Sequence, residues 1–417
     1  MLPSYRDALC WLYARHRGGA PRDPARMEGL LRALALPSPE HVVHVVGTNG
    51  KGTVTAMIDA GLRAWGTSSG RFVSPHVEDF RERVSVNGRP VSREAVRRFV
   101  AQAQRREIEP EPAFFEWTLA LALAAFARAR LSWAVVEAGV GAARDATRAL
   151  DHVELVVLTN VTPDHLDTLG PDLASVARDK AGAIRAGVPV VTGARGQALE
   201  VVRLAARRLG APLHSDTRRN GLFEVPPGAP QVGATRARNA RLAAAALRLL
   251  GAPEEAVTAG VRAAPLPARG ERFAVGGCEV VLDGAHDPSA AAELAAELAP
   301  GYVLLFGALE RKQATATLAP LEAAASAVVL TEAAPGERPI AAGAGRTFLA
   351  QPARALERAL ALATARPAAG AGAPPGRVVV AGSLYLAGRV RPLLRRRAQL
   401  ARLPLSTVAE AAPGVRP

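Results

Sequence analysis

Residues 45–54 read VVGTNGKGTV, which gathers three glycines, one lysine and two hydroxyl residues into a single turn. Those residue types can hold phosphate. Successive backbone N–H groups in a glycine-rich turn form a concavity for phosphate oxygens, and a lysine at its end reaches terminal phosphates. The familiar spacing places Ser or Thr directly after the lysine. Here Gly52 follows Lys51 and Thr53 comes one place later. The added glycine shifts the register and removes none of the chemistry. Amides along Thr48, Asn49, Gly50, Lys51 and Gly52 face a ligand, and Thr53 offers its hydroxyl to Mg²⁺. The alternative is a glycine-rich turn with no ligand, which leaves the flanking strand, lysine, hydroxyl and helix unexplained.

Magnesium takes hard oxygen ligands and keeps several waters. The next strand to end in an acid is WAVVEAGVG, where Glu137 leaves an apolar run directly into a glycine turn. Ligands of open α/β sheets bind at the carboxyl ends of strands, and a carboxylate buried there is costly unless it is paired or on a metal. Glu137 therefore reads as a metal ligand or as half of a buried salt bridge. The following strand leads through VVLTNVTPDHLDTLG into Asp164, His165 and Asp167. His165 is equally a neighbour of a helix cap and a second metal ligand.

Positioning these residues requires a βαβ framework, and the chain supplies one. Apolar strand candidates at His41–Val46, Ala134–Glu137, Leu155–Thr159, Val188–Thr192, Glu279–Leu282, Tyr302–Phe306, Ala327–Leu330 and Val378–Ala381 alternate with helical stretches. Those stretches include Val54–Trp65, Phe115–Arg128, Leu173–Ile184, Ala237–Leu250 and Ser289–Glu297. The alternation predicts an α/β fold with mostly parallel sheets. AAPLPARGERF (Ala263–Phe273) interrupts it with two prolines, so the boundary is placed between domains 1–266 and 267–417. ATARPAAGAGAPPG (Ala363–Gly376) reads as a low-complexity loop.

With 417 residues, 49% of them hydrophobic and 22% charged, the chain has ample material for large cores. Cys10 and Cys278 are its only cysteines and show no metal-ligand spacing. The opening MLPSYRDALCWLYARHRGG carries too many charges for a signal core, and no apolar run approaches the ~18 residues of a membrane span. The expectation is a soluble cytoplasmic protein with no membrane partner. A net charge of +14 reads as a solvated arginine surface or as an electrostatic funnel for small anions. Only 4% of residues are aromatic, which argues against stacking of single-stranded nucleic acid.

HVVGTNGKGTV resembles the nucleotide loop of the Mur ligase superfamily, and in particular that of folylpolyglutamate synthases and dihydrofolate synthases, where Gly commonly follows the Lys. The resemblance runs in order through MEGLLRALALPSPEHVVHVVGTNGKG, FVSPHVEDFRERVSVNG, FFEWTLALALAAF, VVEAGVGAARDAT, DHLDTLGPDLASVARDKAGAIRAGVPVV, DGAHDP and AGSLYLAGRVR, nearly the whole chain. It implies a P-loop-type N-terminal domain and a smaller Rossmann-like C-terminal domain, and an ATP-dependent ligase joining L-glutamate to dihydropteroate, to a reduced folate, or to both. Carried over by residue, Lys51 and the loop amides would hold ATP phosphates. Thr53, Ser74 and Glu137 would surround one Mg²⁺, while His165 with Glu137 would serve a second. Lys180 of ARDKAG matches a lysine often carbamylated to bridge metals. Asn239 matches an adenine-side asparagine and Arg269 a triphosphate-contacting arginine. Asp283 and His286 would meet ATP from the second domain, placing the site in the interdomain cleft of a monomer.

The chain departs from the family pattern in four places. GAARDATR puts Ala143 where an arginine is usual and Arg148 where an asparagine is usual, with Arg144 next door. Thr235–Arg236 precedes the adenine asparagine in place of His-Gln. Asp287 replaces the asparagine of DGAHNP, and Arg311–Gln313 replaces an Asp-Lys-Asp. The nearest alternative is a Mur-type ligase acting on a peptidoglycan precursor or a similar acceptor. A nucleotide-binding regulator or transport ATPase is a more distant one, and a basic nucleic-acid protein the most distant.

Overall fold

Six residues, His41–Val46, form strand β1, and all but the first are buried. A run buried on consecutive positions is what a strand covered on both faces requires. Around it the computed structural model describes residues 2–15, 22–163, 166–217, 221–227, 233–263, 266–309, 313–334, 345–365 and 376–400. The chain divides into two compact units, Met1–Ala264 and Pro265–Pro417. The division falls two residues before the boundary placed from the proline pair.

In the first unit β1 is followed by β2 (Ser69–Phe72), β3 (Val84–Val86), β4 (Arg89–Pro90), β5 (Trp133–Glu137), β6 (Val153–Leu158), β7 (Val190–Thr192) and β8 (Leu213–Ser215). They form one sheet in the order β4-β3-β2-β5-β1-β6-β7-β8. Pairing is parallel except for β3 and β4, which fold back antiparallel at one edge. β1 lies between β5 and β6, with Val45 opposite Glu137 and Val46 opposite Leu158. The chain after β1 thus emerges beside the carboxyl ends of two strands that carry polar residues.

Alternation along β1 sends Val42 and Val46 to one core and Val43 and Val45 to another. The helix Phe114–Arg128 contributes to the first core, and the helices Lys51–Ala64, Ala234–Leu249 and Glu254–Arg262 to the second. The last three pack tightly because glycines permit it. A Cβ at Gly260 would come within 2.7 Å of the Met57 carbonyl oxygen and 3.1 Å of the Gly61 Cα.

The second unit holds β9 (Glu271–Val275), β10 (Cys278–Leu282), β11 (Tyr302–Phe306), β12 (Ala325–Leu330), β13 (Arg346–Phe348) and β14 (Arg377–Ala381), in the order β13-β12-β11-β14-β10-β9. Only β9 runs antiparallel, so this is a smaller, mostly parallel sheet with its own core. Among the described residues no helix is long and apolar enough to cross a membrane.

All eight expected strands form, with ends within two residues of their expected positions. The helix expected over Leu173–Ile184 ends earlier, at Ala181, where the Gly182 N–H bonds back to Arg178 and Asp179 carbonyls. The short strands β2, β3, β4, β8, β9 and β13 carried too little apolar sequence to be recognised.

Two glycine replacements test the packing. Gly260→Ala should lower the unfolding free energy by about 1–3 kcal/mol through overpacking. Gly29, in the helix Pro24–Ala33, has no atom within 4 Å of an added Cβ, so Gly29→Ala should gain up to about 1 kcal/mol of helix propensity. Denaturant midpoints check both. A Gly260→Ala variant as stable as the parent would contradict the close approach.

Candidate active site

The turn after β1 is moulded against the end of β6. Gly47 takes φ +146°, and a Cβ there would lie 1.9 Å from Thr159 Oγ1, so no side chain fits. The Thr48 N–H donates to the Asn160 carbonyl at 3.0 Å and the Asn49 N–H to Asn160 Oδ1 at 2.8 Å. Thr159 Oγ1 donates to the Asn49 carbonyl at 2.7 Å, and Thr48 Oγ1 accepts from the Thr162 N–H at 3.1 Å. Gly50 then turns left-handed at φ +83° and starts the helix Lys51–Ala64 without a capping side chain. The first-turn amides of Lys51, Gly52 and Thr53 therefore face outward as donors, the geometry in which a helix N-terminus holds an anion.

Two lysines meet at this turn. Lys51 Nζ donates to the Gly47 and Thr48 carbonyls at 3.1 and 3.0 Å. Lys180, buried on the helix Leu173–Ala181, donates to the same Gly47 carbonyl at 2.9 Å. The residue before it, Asp179, accepts the Ala142 N–H at 2.8 Å through Oδ1, and its carbonyl accepts the Ala143 N–H at 3.1 Å. One turn of helix thus fastens both the glycine loop and the segment that follows β5.

At the end of β5, Glu137 is only 4% exposed, and its Oε2 accepts the Ser74 N–H at 3.0 Å. Ser74 and Glu137 are brought together, as the metal reading requires. On the neighbouring strand β2, the partly buried Arg71 guanidinium lies 3.7 Å from Asp59. Burial lowers its pKa, and the negative charges of Asp59 and Glu137 hold part of that shift back. Arg71 thus interacts electrostatically with both Asp59 and Glu137.

The donor set fits a nucleotide and a hard cation. Asn239, on the helix Ala234–Leu249, lies so close to Gly50 that a Cβ there would come 2.4 Å from its Oδ1. Asn239 Oδ1 and Asn49 Nδ2 are both buried with no hydrogen-bond partner, a state that native proteins avoid unless a ligand or water completes it. The Thr53 and Ser74 hydroxyls and the Glu137 carboxylate are oxygen donors of the kind magnesium takes, with water and phosphate filling the remainder. Among the described residues no group of three or more His, Cys, Asp or Glu side chains gathers as a metal cage. His165 and Asp164 lie outside the described residues, as do Arg311 and Lys312 and most of Ala363–Gly376.

In the second unit Asp283 Oδ2 accepts the Gly270 N–H at 2.7 Å, and Oδ1 accepts the Ala285 N–H at 2.8 Å. Burial raises its pKa, while the charge of Arg269 and these two amides pull it back down. His286 Nδ1–H donates to the Gly284 carbonyl at 2.8 Å, which fixes the orientation of the ring. Arg269, Asp283 and His286 thus share one neighbourhood at the start of β9 and the end of β10. Asp287 caps the helix Pro288–Glu297 by accepting the Ala290 N–H at 2.9 Å, a role in which Asp and Asn are equivalent.

Sequence reasoning missed Thr159 and Asn160, which pin the loop. Their signal was a pair of polar residues closing an apolar strand. It also missed the pairing of the partly buried Arg71 with the buried Asp59, which lie on different elements.

The Mur ligase middle domain profile matches residues 45–185. The dihydrofolate synthase/folylpolyglutamate synthase of Mycobacterium tuberculosis is 32% identical over 368 residues, covering 74% of each chain. Two haloarchaeal relatives, 35% identical, are longer, and this chain spans about half their length (50% and 43%), while the Bacillus subtilis dihydrofolate synthase/folylpolyglutamate synthase, also 35% identical, matches over 52% of each chain. Among solved structures, Escherichia coli FolC in complex with DHPP and ADP superposes with a TM-score of 0.81 at 27% identity, covering 95% of this chain and 98% of that one. The Yersinia pestis bifunctional folylpolyglutamate synthase/dihydrofolate synthase, complexed with AMPPNP and Mn ion, gives 0.78 at 27% identity over 94% and 98%. On its sequence match to a relative covered over 74% of both chains and its superposition on solved members, this chain belongs to the folylpolyglutamate synthase/dihydrofolate synthase family of Mur ligases.

Proposed function

We propose that the chain is an ATP-dependent ligase that joins the amino group of L-glutamate to a carboxylate of dihydropteroate, of a reduced folate, or of both. The observation that carries this reading is the meeting of Lys51 and Lys180 at the Gly47 carbonyl, beside an uncapped helix start and one strand away from Glu137. The activity for which the relatives are named, with the DHPP, ADP and AMPPNP bound in the solved structures, supports this substrate class.

In the proposed reaction the acceptor carboxylate takes the γ-phosphoryl group of ATP, forming an acyl phosphate with ADP as the leaving group. The glutamate amine then attacks the acyl carbon and phosphate departs. Phosphoryl transfer needs positioning and charge neutralisation more than covalent help. The loop amides at Thr48–Gly52 orient the phosphates, and Lys51 turns from the loop carbonyls to the terminal phosphate. Asn239 and Asn49 present their unpaired polar atoms to the nucleotide. Glu137, Thr53 and Ser74 would hold one Mg²⁺, and His165 with Glu137 would serve a second. Bound magnesium supplies positive charge to the phosphate oxygens as they gain negative charge. Lys180 reaches the same region, where carbamylation would turn its amine into an acidic oxygen ligand. Within the second unit, Arg269, Asp283 and His286 gather polar groups of the kind that meet phosphate oxygens. The protein works as a cytoplasmic monomer in this reading.

Product analysis tests the reaction. Dihydropteroate and tetrahydrofolate are supplied separately with ATP, Mg²⁺ and radiolabelled glutamate, and at least one must gain label with stoichiometric ADP release. ATP hydrolysis indifferent to both acceptor and glutamate would refute the ligase reading. Lys51→Ala should cost about 10²–10³-fold in kcat, the scale of removing one transition-state donor, and Glu137→Ala should abolish ligation with the fold intact by circular dichroism. Lys180→Ala should be inactive and regain activity with short carboxylates. Unchanged activity without additive would exclude a role for carbamylation.

A further inference from the structure

Within the buried run of β1 stands one fully buried polar side chain, His44. Its Nε2 lies 2.8 Å from Thr147 Oγ1, which in turn lies 2.6 Å from Asp145 Oδ1. Asp145 is itself buried. Its Oδ1 also accepts the Thr147 N–H at 3.0 Å, and its Oδ2 accepts the amides of Gly139 at 3.1 Å and Val140 at 3.0 Å. These two amides lie two and three residues beyond Glu137.

The direction of each bond follows from chemistry. A carboxylate only accepts, so the Thr147 hydroxyl donates to Asp145, and its lone pair accepts from His44. His44 therefore carries its proton on Nε2. Nδ1 is left as a buried acceptor with no partner, which costs free energy. Burial, with Arg185 and Arg148 nearby, lowers the ring's pKa to about 3, so the imidazole is neutral at working pH. An apolar side chain could fill this space without the unpaired nitrogen, which makes the Nε2–H bond the residue's distinct contribution. The far end of the relay is equally specific. A Cβ at Gly139 would meet Asp145 Oδ2 at 3.2 Å and the Phe115 ring at 2.9 Å, so the backbone there is packed onto the carboxylate.

We propose that His44 is a positioning residue for ligation: through Thr147 and Asp145 it fixes the Gly139–Val140 peptide, and so the direction in which β5 presents Glu137. The relay rests on the reading of Glu137 as the metal-side carboxylate. It needs no charge on His44, only a donor at Nε2, so glutamine, which can place an amide N–H near that position, substitutes for it in part.

The test uses the full chain and the variants His44→Ala, His44→Gln and Thr147→Val, the last nearly isosteric and expected to fold. Amide exchange at Gly139 and Val140, read on ligand-free protein, should rise at least about tenfold in Thr147→Val and His44→Ala. The same variants should lose about 10–100-fold in kcat, the scale of a small misplacement of a reacting group, with KM for ATP within about twofold. His44→Gln should return to within about fivefold of the parent in both readouts. The double variant His44→Gln/Thr147→Val should be no worse than Thr147→Val alone, because the two residues act through one chain of bonds. Unchanged exchange in Thr147→Val, or raised exchange with unchanged kcat, overturns the proposal. So does a His44→Gln variant no better than His44→Ala. Absence of ligation by the parent chain would instead sink the proposed reaction, and the exchange data would still decide whether the relay exists.

Discussion

The carbonyl oxygen of Gly47 accepts hydrogen bonds from two ammonium groups, Lys51 of its own loop and Lys180 from 133 residues further on. The two side chains clamp that peptide from two distant points in the sequence, so the loop backbone is held in one course. Its outward-facing amides are thus oriented before any anion arrives, which is the condition for strong electrostatic stabilisation of developing charge. The sheet order follows the same need. β1 must lie between β5 and β6 for its turn to reach Glu137 on one side and Thr159 and Asn160 on the other.

The helix Leu173–Ala181 couples these parts. Lys180 holds the glycine loop while Asp179 holds Ala142 and Ala143 beyond β5. The contact is close, since a Cβ on Gly182 would fall 2.6 Å from that of Ala143. Ala143, where the family commonly has arginine, is accommodated as a small residue against this helix end. Arg144 beside it is exposed, and Arg148 offers its carbonyl to Arg185 at 2.8 Å. Arg236, another departure, donates to the Ala263 carbonyl at 2.8 Å. Of these departures the Arg236 side chain makes a contact of its own, whereas the carbonyl at position 148 would accept from Arg185 whatever residue stood there.

The glycine loop was legible in the sequence because its residues are local: glycines, lysine and threonine follow one another within a single turn. Its anchors were not legible. Asn160 is 111 residues from Asn49, and only the sheet order brings them together. Glu137 was recognisable because an acid closes an otherwise apolar strand. β2 escaped notice because its four residues include Gly70 and Arg71, and the arginine's reason for burial, Asp59, lies on the preceding helix. His44 hid for the opposite reason, since the valines around it defined the strand so well that the one polar residue read as an incidental member. Asp283 and Lys180 were found through family motifs, and only the structure shows which oxygen or carbonyl each one engages.

Calorimetric titration of Mg·ATP into the full chain, with Lys51→Ala as the comparison, addresses the loop most directly. The account requires saturable one-to-one binding that Lys51→Ala weakens at least about tenfold, by removing a charge-assisted contact. No heat from Mg·ATP at millimolar concentrations with well-folded protein would contradict it, as would equal affinity in the lysine variant.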